Sequence, residues 1–142
     1  MVTKPLSFRQ LKLLWTMVIV FLPMLVWIGE YAAKRAYGGR LTSWHLALVA
    51  MGAWLIADGY WFRRKLMMRA ISDRGGLGQE AADRKWSLSQ LMGLAFASSV
   101  VLLGIVASMR VGCPRWFSTS FYVTGLALLI LWSPRRPPAL LP

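Results

Sequence analysis

The chain has 142 residues, of which 57% are hydrophobic and only 15% charged, with a mean hydropathy of +0.51. That length suits one domain, but a charged share so far below the roughly 25% of an ordinary soluble domain leaves too little to cover a globule in water. The formal net charge is +12, from 17 basic against 5 acidic side chains, so the positions of the cations must decide between nucleic acid and a membrane as their partner.

A membrane's hydrocarbon core is about 30 Å thick, and a helix crossing it needs roughly 20 mostly apolar residues. The first such block is 13–33, LLWTMVIVFLPMLVWIGEYAA. Its basic start (Lys4, Arg9, Lys12) resembles a signal peptide. The apolar stretch is too long for one, however, and no small-x-small cleavage site follows, so an uncleaved anchor is expected. Pro23 removes a backbone hydrogen bond and predicts a kink. The second block is 44–62.

Residues 63–87 then read as a cytoplasmic loop that opens with RRKLMMRAI. Leu66, Met67, Ala70 and Ile71 fall on one face of a short amphipathic helix, with Arg63, Arg64, Lys65 and Arg69 placed to meet anionic headgroups. The RGGLGQ stretch that follows is a break; it lacks the GK[ST] ending of a phosphate-binding loop. Ser87 and Gln90 have the spacing of an S-x-x-Q capping box, predicting that the third block, 88–108, starts there. The fourth block, 116–132, is the shortest and has a polar start.

These blocks predict an all-α membrane protein: one integral domain over 1–142, with four transmembrane helices in an antiparallel up-down bundle. Lys and Arg set the orientation. Twelve lie in the N-terminal segment, the 63–87 loop and the tail (Arg135, Arg136), against five in the two opposite loops (Lys34, Arg35, Arg40, Arg110, Arg115). Both ends are therefore expected in the cytoplasm. The tryptophans agree, because seven of the eight fall near predicted interfaces and only Trp54 is placed mid-membrane. With the cations divided between two faces and accounted for by topology, no nucleic-acid partner is expected.

Helices in lipid associate through small residues. Gly93, Ala97, Val100, Gly104 and Ala107 recur on one face of the third block, and Ala50, Ala53 and Ala57 offer a seam on the second. The reading is packing within the bundle, with an interface between copies as the other use.

Ionisable groups inside a membrane are functional suspects. Glu30 and Asp58 are the two here, and neither is central. Glu30 precedes Lys34 by four residues, the spacing of an ion pair, and Asp58 lies close to Arg63 and Arg64. Snorkelling to the surface explains both without a further role. Glu30 beside His45 makes the sharper hypothesis of a pH-sensitive proton or ion relay, if the first two helices are neighbours. Asp58 is 13 residues, about 20 Å, along its helix from His45.

One histidine supplies a single haem ligand, and one cysteine excludes both an internal disulfide and a multi-cysteine metal site, so neither cofactor nor metal is expected. Cys113, in a Gly-Cys-Pro turn, reads as a free loop thiol. Ser118, Thr119, Ser120, Tyr122 and Thr124 either line a polar cavity or satisfy backbone groups locally.

In helix number the chain is similar to small multidrug resistance transporters. That family carries its glutamate near the middle of the first helix, whereas Glu30 stands near the end, and the likeness stops at helix count. The expected function is therefore a non-enzymatic membrane protein, an accessory, assembly or scaffold subunit in a bacterial inner membrane, with lipid and other membrane proteins or itself as partners. A small oligomeric transporter or channel component using Glu30, His45 or Asp58 is the alternative. A lipid-modifying enzyme would need Glu30 and His45 as its only surface acid–base pair.

Overall fold

The computed structural model describes residues 6–33, 42–74, 78–109 and 113–134. These form four helices and, among the described residues, no strand: α1 (Phe8–Ala33), α2 (Ser43–Arg74), α3 (Gln79–Ser108) and α4 (Arg115–Leu131). Lys4, Lys34, Arg35, Arg40, Arg110, Arg135 and Arg136, which enter the charge count above, lie outside the described residues, as does the break at 75–77.

Local chemistry fixes where each helix starts. At α1 the Ser7 backbone N–H donates to Gln10 Oε1 at 2.9 Å and the Gln10 N–H to Ser7 Oγ at 3.3 Å, a complete capping box. At α2 His45 plays the part of the glutamine, accepting the Thr42 N–H at Nδ1 (2.9 Å). α3 follows Gly78, whose φ of 99° is a left-handed conformation that favours glycine, and Glu80 in its first turn complements the helix dipole. α4 follows extended Pro114. α1 runs without interruption through Pro23.

Two sequence expectations are corrected here. The capping box at Ser87 and Gln90 does not form. α3 begins nine residues earlier than the predicted 88, and Ser87 Oγ bonds back to Arg84 O at 2.9 Å in mid-helix. Residues 79–86 consist largely of good helix formers, which carry the helix back to the glycine-rich break. Nor is there a separate amphipathic helix after the second apolar block. With no glycine or proline between Tyr60 and Arg74, α2 continues unbroken, and Met67 and Ala70 pack with Leu11 and Trp86 of α1 and α3. Within the segment expected as a 63–87 loop, residues 63–74 and 79–87 are instead helical, as the adjoining ends of α2 and α3. At about 1.5 Å per residue each of these helices exceeds 40 Å, longer than a hydrocarbon core.

α2 and α3 share the most extensive contact, followed by α3 with α4; α1 lies against α3 and more lightly against α4, and meets α2 chiefly in the cluster of Leu11, Met67, Ala70 and Trp86, away from Glu30 and His45. The expectation that α1 and α2 are packed neighbours at Glu30 and His45 is therefore also corrected. α3 is the central helix, with α2, α4 and α1 packed on it. The α3–α4 crossing is close because Gly125 faces Val101 and the Ala97 carbonyl, and Gly104 faces the Tyr122 ring. Trp15 ties α1 to the end of α4 by donating Nε1–H to Leu129 O at 3.0 Å.

The outer surface is more apolar than that of a water-soluble domain. Large apolar side chains stand outward, among them Phe21, Trp27 (69% exposed), Leu46, Trp54, Ile130 and Leu131, while Ser89, Gln90, Ser108, Ser118 and His45 are buried. Two helices are long and apolar enough to cross a membrane, over Phe8–Ala32 and Gln79–Ser108. α4 is apolar but has 17 residues, and α2 carries His45 and Asp58 within its apolar stretch.

Candidate functional site

The polar interior gathers where the end of α1 meets α3 and the start of α4. The Glu30 carboxylate on α1 lies 3.2 Å from Ser118 Oγ on α4. Ser118 Oγ also faces Arg115 O at 3.1 Å, so its single proton is shared between a carboxylate and a helix carbonyl. One turn further along α4, the Tyr122 hydroxyl is buried beside Glu30 and Ser108. Ser108 Oγ bonds back to Ile105 O at 2.8 Å. Cys113, in the connection to α4, is buried within the cluster that includes Phe117 and Phe121. A carboxylate held among hydroxyls can bind or pass on a proton or a small cation. It can equally pin α1 to α4, since a charge-assisted hydrogen bond is strong where water is scarce.

Burial pushes the Cys113 thiol above its ordinary value of 9.0; the Ser118 backbone N–H pulls the other way, and the Glu30 charge adds to the rise. A raised thiol pKa favours the neutral form, so the stabilisation it reflects is present below the ordinary value and lost as pH rises through the folded one. At pH 7.5 the folded protein is expected to react with a small maleimide about tenfold more slowly than the detergent-denatured chain. Equal rates would place Cys113 at the surface.

The structure gives the sequence-predicted residues different partners. His45 is buried, with Nδ1 accepting from Thr42 and the ring edge-on to Phe117 at 4.9 Å; Nε2 is buried and has no hydrogen-bond partner among the described residues. Glu30 is engaged with Ser118 instead, and Lys34, its expected ion-pair partner, lies outside the described residues. Asp58 is partly exposed on α2. At the opposite end, Arg63 is half-buried over the Trp132 ring at 5.7 Å and Lys65 covers Trp61 at 4.4 Å, whereas Arg64 and Arg69 are exposed. Ala97 and Ala107 are buried in the core, Gly104 meets Tyr122, and Gly93 accommodates the Arg63 stem.

Sequence reading missed the enclosure of Gln90 and Ser89. Both are 0% exposed, and the Gln90 amide, Ser89 Oγ and Trp86 Nε1 are buried without hydrogen-bond partners among the described residues. The available signal was a glutamine inside an apolar block, at a position that also fits a capping box.

Among the described residues no group of three or more His, Cys, Asp or Glu side chains is placed to hold a metal ion. No family model, curated protein or solved structure matches the chain.

Proposed function

We propose that the chain is an integral protein of a bacterial inner membrane, its four helices crossing up and down with both ends in the cytoplasm, and that it serves as a non-enzymatic accessory or scaffold subunit. The exposed apolar surface carries this reading: the large apolar side chains that stand outward on α1, α2 and α4 suit hydrocarbon. In this orientation the α2–α3 stem reaches into the cytoplasm with Arg64, Lys65, Arg69 and Arg84 exposed, as the preference of cations for that side requires.

A scaffold role draws on the lateral surface. A groove of about 240 Å³ runs between α2 and α4, lined by Val49, Gly52, Ala53 and Ile56 on one side and Ser120, Phe121 and Thr124 on the other. Small residues that let a neighbouring backbone approach are the usual basis of helix association in lipid. The Glu30–Ser118–Tyr122 cluster supports the second reading, a small transporter or channel component in which Glu30 carries a proton or cation.

Purification in mild detergent separates the two. A stoichiometric membrane partner, retained by Glu30→Gln, is the expected result. A lone homo-oligomer whose ion flux in proteoliposomes is abolished by Glu30→Gln would overturn the scaffold reading. Recovery in the supernatant after a high-pH carbonate wash of the membranes would overturn both.

A further inference from the structure

We infer that the chain binds one anionic glycerophospholipid in a second lateral groove, between the cytoplasmic ends of α2 and α4. This rests on the membrane reading above and adds a ligand to it. The groove has a volume of about 280 Å³ and is lined by Tyr60, Arg63, Arg64, Met67 and Met68 of α2 with Leu131 and Trp132 of α4.

Residues 60, 63, 64, 67 and 68 recur at the three- and four-residue spacings of one helical face, which is why a single stretch of α2 brings two guanidinium groups and an apolar wall to one place. Among the described residues no acidic side chain lines the groove. Arg63 is partly held in advance of any ligand: its guanidinium carbon lies 5.7 Å from the centre of the Trp132 ring, and its stem passes α3 where Gly93 leaves room. A guanidinium packed beside a ring loses less freedom on binding a phosphate than a fully exposed one. Arg64, exposed beside it, supplies the second cation.

The apolar lining selects a lipid over a free anion. Tyr60 and Leu131 lie on the membrane side of the arginines, and exposed Leu131 continues the groove into the apolar surface of α4. The groove is far smaller than a whole phospholipid and open along one side. It therefore takes the headgroup and glycerol, leaving the acyl chains to run out along α2 and α4. Two adjacent cations favour a net-negative headgroup over a zwitterionic one, whose ammonium they repel.

The test uses the full chain in mild detergent, with phosphatidylglycerol or phosphatidylcholine added and retained lipid counted by native mass spectrometry. One phosphatidylglycerol per chain is expected to survive activation that strips phosphatidylcholine. The Arg63→Gln, Arg64→Gln double variant should weaken retention about tenfold, while Arg69→Gln, outside the groove, should not. Circular dichroism of each variant reports whether the helices remain. Equal retention of both lipids, an equal loss in Arg69→Gln, or displacement by soluble glycerol phosphate at matched concentration would each overturn the inference. Carbonate extraction of the wild type is read separately: a chain that stays in the membrane yet retains no lipid overturns this inference alone.

Discussion

Replacing Gly125 by valine is expected to cost about 3 kcal/mol, at the upper end of what overpacking does, and to leave little folded protein in detergent. The reason lies in what a side chain there would strike. A Cβ at 125 would approach the Val101 backbone nitrogen to 3.0 Å and the Ala97 carbonyl oxygen to 3.2 Å, as well as colliding with the Val101 side chain. Side-chain ends can swing aside, but helix backbone atoms cannot without separating α4 from α3, the helix on which the other three pack. Gly93→Ala is the control. Its Cβ would meet the Arg63 side chain at 3.4 Å and the Trp132 ring at 3.7 Å, which is ordinary van der Waals contact. Reversible unfolding in mixed micelles, followed by circular dichroism, should separate the two variants clearly. A Gly125→Val protein as stable as wild type would mean that α3 and α4 do not cross so closely.

That contrast shows which parts of the structure a sequence can reveal. Apolar length located α1 and α3, because the energetics of crossing hydrocarbon depend on composition summed over a segment. The small residues of α3 were legible by their recurrence, and Gly104 does meet Tyr122. Gly125 was not singled out, since α4 carries one glycine with no repeat around it; its importance comes from the helix opposite. The α2–α3 stem was hidden for a related reason. Residues 79–87 and 63–74 look like polar loop singly, and become stable helix because each covers the other. Capping was ambiguous because S-x-x-Q occurs twice. At Ser7 the box sits just before the helix begins and closes; at Ser87 it falls inside a run of helix formers and is overridden.

The candidate site was legible residue by residue and not as an arrangement. Glu30 and Ser118 are both visible as polar interruptions of apolar blocks, but 88 positions separate them. Only the choice of neighbours made by α1, which selects α3 and α4 over α2, brings them together. Sequence adjacency pointed to His45 as the partner of Glu30 through the short connection between α1 and α2. Close packing decided otherwise: the small and aromatic residues on α3 and α4 give α1 a better surface, with Gly29 seated on Ile105 and Leu22 in the central cluster.

Trp15→Ala is expected to destabilise the fold by about 3–5 kcal/mol, the range for deleting a large buried aromatic side chain. Trp15 is 3% exposed and packs in the central cluster with Leu94, Ala97 and Tyr122. Interfacial preference alone would have placed it among headgroups, like the exposed Trp61. Its role follows from the end of α4. The last carbonyls of a helix lack partners within it, and in a membrane nothing nearby replaces them cheaply. The indole N–H of Trp15 fills that need for Leu129 O at 3.0 Å, so one side chain both packs α1 into the core and caps α4. Trp15→Phe separates the two contributions: it keeps most of the ring's packing and loses the donor, for an expected cost of about 1–2 kcal/mol. Trp27→Ala, at a site 69% exposed, should lie within about 0.5 kcal/mol of wild type. The ranking Trp15→Ala, Trp15→Phe, Trp27→Ala in unfolding free energy is the measurement. Equal effects of Trp15→Ala and Trp27→Ala would place both rings in lipid and remove the link between α1 and α4 on which the Glu30–Ser118 contact also depends.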